Sequence, residues 1–465
     1  MVPEVNGNAI IQSYIEDFKS SRMSVYTDNL NWYTGKHPIL NRVAETMVDS
    51  EGNMVKKPNN KLVFQFPKLI IDTSHSYLAG KPLSYTNNKS LNKPEYDDTD
   101  EFISILKDIF IDNDEPYKTA ELLKNCSIEG DGYEYVYVSK IDGQIKFVEF
   151  PAYECIPVYD PSTKELEMVI RFYEMELLNA NGKKETFYKV ETYDKDYVTY
   201  YNMKNGKVTL DLEKPAVAHL MQEVPIIHYR NTTISNSDYG ISDLEDVKTL
   251  IDEYEQKCSD LSNTLEYNTN PLLKLTNCIV DEGQFAEMVA SRIIQLPEGA
   301  TAEYLVWDQN IPALKNHLEK IEDAIYTFSF TPKLYRDNDD GNPMSGVSIK
   351  MKFSGADLKA NTKERNYRLG LRKRIRLISK LISLINNKNY NWRDVDVTFN
   401  RSIPQNLLEL AQIAAQLHGL ISDETLMENI PFVTDIKTEM ERVAKQKATT
   451  TQTENTDTTG GGVVK

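Results

Sequence analysis

Apolar and polar positions along this chain follow two periods, and the changes of period mark its parts. Ile10, Ile11, Tyr14, Ile15 and Phe18 recur at helical spacing, so the chain opens on a helix with one apolar face. A polar stretch runs from Asn53 to Lys61. Residues 62–85 then carry an apolar helical run, with Gly80 placed as a C-terminal signal and Pro82 just beyond it. Phe102 to Phe110 reads as an amphipathic helix in an acidic segment. From Tyr133 the period drops to two, through Val138, and resumes from Ile145 to Phe150 after the turn Ile141-Asp142-Gly143-Gln144, which predicts a hairpin. Alternating runs at 168–173, 186–193 and 197–202, separated by Asn181-Gly182 and Asn205-Gly206, make residues 133–230 a β-rich, chiefly antiparallel region.

After Arg230 the helical period returns. Leu244, Val247, Ile251, Tyr254, Cys258, Leu261 and Leu265 form an apolar seam at steps of three and four. Beside it lies a stripe of six carboxylates: Glu245, Asp246, Asp252, Glu253, Asp260 and Glu266, with Lys248 and Lys257 at flanking positions. Ser242-Asp243-Leu244-Glu245 fits a capping box, which predicts the helix start at Ser242. The segment 272–312 reads as a small mixed insert with short strands. A returning helix follows at Ala313 to Phe330, through Leu314, Leu318, Ile321 and Ile325. Residues 331–345 are polar and turn-rich. Helix resumes near Val347 toward Asn387, Val395 to Phe399 reads as a strand, and a last helical group spans Pro404 to Lys445. The Thr-, Gln-, Asn- and Gly-rich end from Ala448 is expected to be disordered.

The 465 residues are enough for two to four domains. A net charge of −17 is the reverse of what a protein gripping DNA over a broad surface carries. The four cysteines show no CxxC spacing and the six histidines are scattered, which argues against a disulfide framework or a structural zinc and suits a reducing compartment. Met1 to Ile15 does not read as a signal peptide, and no apolar run approaches the roughly 20 residues of a membrane span. Nucleotide-loop, HExxH and GxSxG motifs are absent. A calcium-loop reading fails because Arg336 and Val347 occupy the first and twelfth positions, where carboxylates are required. No cofactor or metal is expected. The basic run Lys363, Arg365, Arg368, Arg372, Lys373, Arg374 and Arg376 is the best candidate for phosphate or inter-subunit contacts, against the ordinary reading of a solvated face. His228 and His317 read as structural, and Cys258 as a small apolar member of the seam.

Several stretches resemble portal proteins of tailed bacteriophages, of the type found in long-tailed phages of Gram-positive hosts. They are NNKLVFQFPKLIIDTSHSYLAGKPLSY, EGDGYEYVYVSKIDGQIKF, VPIIHYRNTTISNSDYGISDLEDVKTLIDEYEQKCSDLSNTLEYNTNPLLKL, GNPMSGVSIKMKF, VTFNRSIPQN and LHGLISDETLMENIPFV, in family order from about Asn31 to Arg442. The resemblance implies an α+β portal fold with wing, helical stem, small α/β clip and helical crown, assembling as a ring. On it, residues 1–240 form the wing, 241–269 and 313–330 the stem helices, 270–312 the clip and 331–346 the tunnel loop. Residues 347–403 give a long wing helix and strand, 404–447 the crown and 448–465 the tail.

It further implies a homo-oligomer, typically of about twelve subunits, at one capsid vertex, assembled in the host cytoplasm. Double-stranded DNA passes through its channel without sequence specificity and without catalysis. Its expected partners are the terminase large subunit, the major capsid and scaffolding proteins, and a head-completion or adaptor protein, with no membrane. The tunnel loop would present Lys333, Arg336, Asp337, Asn338, Asp339, Asp340 and Asn342 toward DNA. Its acidic character fits a steric or valve-like contact better than gripping. The acidic stripe makes sense if a ring of such helices faces a shared channel and repels phosphates. The alternatives are another head–tail connector or adaptor, for which the chain is long, and a nucleic-acid enzyme, for which it lacks site motifs.

Overall fold

The opening amphipathic pattern folds as the helix α1 (Gly7–Tyr33), whose buried residues Ile11, Ile15, Phe18, Tyr26 and Trp32 fall on one side. A short hairpin, β1 (Thr46–Val48) with β2 (Met54–Lys56), follows. Then come α2 (Phe66–Ala79), β3 (Ser84–Asn87), α3 (Asp98–Asp112) and α4 (Glu115–Glu129). Helix α2 begins with Pro67 in its first turn and stops at Gly80. The computed structural model describes residues 7–48, 54–87, 98–178, 184–269, 272–277, 279, 281, 283, 296, 298–305, 311–333 and 346–402. Beyond 402 it describes 412, 414–417, 419–428, 439–440 and 442–443.

The β-rich region resolves into two sheets. β4 (Asp131–Val138) pairs antiparallel with β5 (Ile145–Phe150). Next, β6 (Cys155–Tyr159), β7 (Leu166–Leu178), β8 (Lys184–Tyr193), β9 (Tyr197–Lys204) and β10 (Lys207–Leu210) run as an antiparallel meander, with β11 (Val217–Ala218) added on β9. β12 (Ile226–Arg230) returns to pair with β4, giving the order β12-β4-β5. Asn205 and Gly206 adopt φ of 50° and 77° at the β9–β10 turn, the primed-turn geometry that Asn-Gly favours.

Helix α5 (Lys248–Thr269) leads to β13 (Leu272–Thr276), which pairs antiparallel with β14 (Thr301–Leu305); α6 (Ile311–Ser329) returns. After α7 (Gly346–Lys352) come the 33-residue α8 (Ser354–Asn386), β15 (Val395–Thr398) and α9 (Asp423–Glu428). β15 pairs with β3, so chain segments some 300 residues apart share one small sheet. The chain divides into two units, Met1–Lys333 with Gly355–Ser402, and Leu334–Ser354 with Ile403–Lys465. The expected crown falls mostly outside the described residues, and the expected tail wholly so.

The described residues of the first unit include two cores. Ile11, Ile15, Phe18 and Tyr26 of α1 pack against the meander through Val169, Phe172 and Val190, with Phe18 edge-on to Phe172 at 5.9 Å. Trp32, near the C-terminal end of α1, belongs to the other core, with Ile70, Ile71, Ile128, Leu244, Val247, Ile251, Ile321 and Ile325. Helix α1 thus joins the β-rich region to the hairpin of α5 and α6. Burying each such large apolar side chain contributes about 1.5–3 kcal/mol.

Helix α8 crosses this unit with Tyr367, Leu371, Ile375 and Ile378 fully buried. Gly370 lets it approach β12, since a Cβ there would stand 2.3 Å from the Tyr229 ring. Gly370→Ala gains up to about 1 kcal/mol of helix propensity, but overpacking against a buried ring costs about 1–3 kcal/mol. A lower urea midpoint with unchanged slope is therefore expected; a variant as stable as the parent would show that the ring moves aside freely.

Candidate functional site

The candidate site is the hairpin of α5 and α6 with its two-stranded head and the residues that fix its base. At the base, Leu244, Val247 and Ile251 of the predicted seam are fully buried and meet Ile321 and Ile325 of the returning helix. Tyr254 is half-buried, edge-on to Phe64 at 5.0 Å and to Phe66 at 5.3 Å. Farther out the seam opens within the subunit: Cys258 and Leu261 are half-buried and Leu265 is 56% exposed. At the head, Lys274 and Glu303 pair across β13 and β14 at 2.6 Å.

The capping box does not form. Helix α5 starts at Lys248, after turns through residues 243–247. Ser242 is buried, and its hydroxyl donates to the Ile128 carbonyl at 2.6 Å while accepting from the Leu244 N–H at 3.2 Å. Glu245 is exposed and sits 3.5 Å from Lys248. Ser242 is thus shared between the turn at Leu244 and contact with α4, and the helix begins farther on.

A polar line that periodicity alone did not reveal runs through the buried side of α5. Glu255 Oε1 accepts from the Phe64 N–H at 2.7 Å, Ser259 Oγ from the Leu62 N–H at 3.0 Å, and Asn263 Oδ1 from the Asn60 N–H at 2.7 Å. Every second amide of an extended strap thus meets every fourth side chain of a helix. The spacings agree, since two extended residues span about 6.6 Å and four helical residues about 6 Å. Glu255 also takes His37 Nδ1 at 2.6 Å, and His37 Nε2 lies 2.8 Å from the Trp32 carbonyl. The signal in the sequence was Glu255, Ser259 and Asn263 at four-residue steps facing NNKLVF. Only the burial of Glu255 and Ser259 distinguishes it from an exposed polar stripe.

The acidic stripe is less uniform than its sequence. Asp260 pairs with Arg42 at 2.6 Å, and Glu253 lies 3.5 Å from Lys257 and 3.7 Å from His317. Lys248, near Glu245, reaches Asp28 at 2.7 Å. Glu266 accepts from Asn60 Nδ2 at 2.8 Å and Asp252 from Gln256 Nε2 at 2.8 Å. Asp246 is exposed. Arg42 comes from a distant segment, so this partial neutralisation could not be read from the helix.

The basic run divides, and two members are corrected outright. Lys363 and Arg374 are 1% and 0% exposed, so neither offers its charge to a phosphate or a neighbouring subunit. Lys363 Nζ bonds Asp243 Oδ2 at 2.7 Å and Ser127 Oγ at 2.7 Å. Arg374 clasps both oxygens of Glu134, at 2.8 and 2.7 Å, and bonds Glu115 at 3.1 Å and Thr119 at 2.8 Å. Arg368 pairs with Glu364 at 2.7 Å, Arg376 pairs with Glu223, and Lys373 Nζ bonds the Ile226 carbonyl at 3.0 Å. Burial lowers the Lys373 ammonium to about 8, with Glu223 opposing it. Arg365 and Arg372 point outward.

Asp243 joins the hairpin base to α8. It meets Lys363, Lys359 at 3.3 Å and Asn231 Nδ2 at 2.9 Å. Burial alone would raise its carboxyl, but the two ammonium groups and the hydrogen bonds hold it well below the usual range. His228 is buried between Asp131 at 2.8 Å and the Tyr159 hydroxyl at 2.8 Å, a structural role, whereas His317 is exposed. Of the expected tunnel loop, Lys333 is described and pairs with Asp323 and with Glu322 at 3.5 Å. Arg336, Asp337, Asn338, Asp339, Asp340 and Asn342 lie outside the described residues. Among the described residues no His, Cys, Asp and Glu cluster could hold a metal ion, and no helix is long and apolar enough to cross a membrane.

Two curated proteins resemble the chain over most of its length. It is 25% identical over 437 residues to the portal protein of Bacillus phage SPP1, covering 88% of this chain and 80% of that one. It is 24% identical over 424 residues to the portal protein of Clostridium phage phiCD119, covering 88% and 89%. Among solved structures, a chain in the neck of a native GTA particle computed with C12 symmetry aligns with a TM-score of 0.40 at 12% identity, over 79% of this chain and 89% of that chain. The family described as phage portal protein, SPP1 Gp6-like, matches residues 12–453. The chain therefore belongs to the SPP1 Gp6-like family of phage portal proteins, structural proteins of the virion and not enzymes.

Proposed function

We propose that copies of this portal protein, about twelve of them, close into a ring at one capsid vertex, and that viral DNA is packaged and ejected through its centre. The observation that carries the reading is the hairpin of α5 and α6. Its base is fixed by a buried core, while the outer half of its seam, Cys258, Leu261 and Leu265, is incompletely covered within one subunit. Neighbouring copies supply the cover. On this reading residues 1–240 and 347–403 form the wing, the hairpin the stem, and β13 with β14 part of the clip. The clip docks the terminase large subunit during packaging and a head-completion or adaptor protein afterwards. Residues 331–346 form the tunnel loop, 404–447 a crown inside the capsid, and the rim meets major capsid and scaffolding proteins. Assembly takes place in the host cytoplasm.

The carboxylates of the stem face the channel and keep the duplex from adhering, with the pairs to Arg42, Lys248 and Lys257 limiting their mutual repulsion. Exposed pairs of this kind contribute at most about 1 kcal/mol each, so their use is to tune the wall's charge. Electron microscopy of the purified chain is expected to show rings with a central hole; a monomer at every salt and protein concentration would overturn the reading. In such rings, reversing Asp252, Glu253 and Asp260 to lysine should slow DNA packaging severalfold and leave the ring intact. Unchanged packaging would place the stripe away from the channel.

A further inference from the structure

Two exposed stripes in the first unit carry opposite charge beside uncovered apolar side chains. On α8 the outward line is Leu358, Arg365, Leu369 and Arg372, at steps of seven, four and three. Leu358 and Leu369 are 66% and 67% exposed. Arg365 and Arg372 are exposed too, and neither forms an ion pair with any described residue. This is uncommon in a chain of net charge −17, whose other wing-helix cations are nearly all engaged. On α1 the outward line is Ile10, Tyr14 and Asp17, at steps of four and three, along a shallow groove completed by Ala9 and Ser13. Ile10 and Tyr14 are 41% and 39% exposed, and Asp17 makes no ion pair among the described residues.

The two lines match in spacing and oppose in sign. An apolar side chain precedes a charge by seven and by three residues on both: Leu358–Arg365 and Leu369–Arg372 on one, Ile10–Asp17 and Tyr14–Asp17 on the other. These steps are about 10.5 and 4.5 Å along a helix axis, so a leucine can meet an apolar side chain while an arginine meets the carboxylate. Both lines stay exposed in one subunit, so they do not cover each other. Complementary patches on different faces of one chain make a head-to-tail contact, the kind that generates a ring when the rotation closes. Opposite charges at its edge fix the register and disfavour mispairing.

We infer that the Leu358–Arg372 stripe of one copy docks on the Ile10–Asp17 stripe of the next around the ring. The inference rests on the ring reading above and adds which surfaces meet. The test uses the full chain, with assembly followed by light scattering across a protein-concentration series. Arg365→Glu with Arg372→Glu is expected to raise the concentration of half-assembly by about tenfold or more. Adding Asp17→Lys should recover part of that loss, since one residue meets one of the two arginines at a time.

Arg365→Gln with Arg372→Gln, which removes the charges without reversing them, should lessen the salt sensitivity of assembly, and it supplies the readout if the reversal variant misfolds. Assembly at parental concentration with the reversed arginines, no recovery with Asp17→Lys, or unchanged salt sensitivity of the glutamine variant would each overturn the docking and leave the ring reading standing. A parent chain that never forms rings would overturn both. Loss of DNA retention by variants whose assembly is unaffected would assign the stripe to phosphate instead.

Discussion

Replacing Arg374 with methionine is expected to destabilise the subunit by about 3–5 kcal/mol. The guanidinium is fully buried, and removing it leaves Glu115 and Glu134 in the interior without a cation, their side chains each 3% exposed. The remaining partners cannot replace it. Tyr229 and Tyr85 already donate to those carboxylates, at 2.9 and 2.6 Å, and Thr119 donates to Glu115 at 2.6 Å. The measurement is urea unfolding at fixed protein concentration, with the midpoint falling and the slope unchanged. A loss below about 1 kcal/mol would mean that water enters and solvates the acids. Replacing Arg374, Glu115 and Glu134 together by apolar residues of similar volume should recover much of the loss, because the cost lies in the unpaired charges and not in the missing bridge.

Lys363→Met should cost less, about 3 kcal/mol, and its consequence reaches the base of the hairpin. Lys363 and Asp243 are each buried and tie α8 to the segment from which α5 starts. Without the ammonium group Asp243 retains Lys359 at 3.3 Å and Asn231, so its charge stays partly compensated. The pair also predicts a pH dependence. The Asp243 carboxyl is held below its ordinary value in the folded chain, so its stabilisation is present above roughly pH 4 and is lost as the pH falls below that. Asp243→Asn should therefore lose stability at neutral pH, with a deficit that shrinks as the pH falls below about 4. A deficit independent of pH would show that the aspartate acts through shape and not charge.

Much of the architecture was legible because it rests on local rules. The return of the chain after α5 followed from apolar spacing at Leu314, Leu318, Ile321 and Ile325. The turn at Asn205-Gly206 followed from the conformational freedom that residue pair allows. The resemblance to portal proteins rested on ordered stretches of sequence, and the family match over residues 12–453 agrees with it. The site was legible in outline and misread in detail. Seven cations between Lys363 and Arg376 look alike in a string of letters, yet two are buried keystones and two point into solvent. The capping box at Ser242 satisfied its pattern, yet Ser242 holds a turn at Leu244 while bonding α4, and the helix starts only at Lys248.

The sequence by itself determined the order of helices and strands, the amphipathic faces and the net charge, since these depend on residues close along the chain. Only the tertiary structure decided which charges are partnered. It brought Arg42 to Asp260 across 218 residues, Lys363 to Asp243 across 120 and Arg374 to Glu134 across 240, and it laid Asn60 to Phe64 against Glu255, Ser259 and Asn263. The reason is physical. A helix shows its period to any reader, because the period is set by its own backbone. A buried charge is stable only where a distant segment delivers its counter-charge, and that delivery is a property of the folded chain.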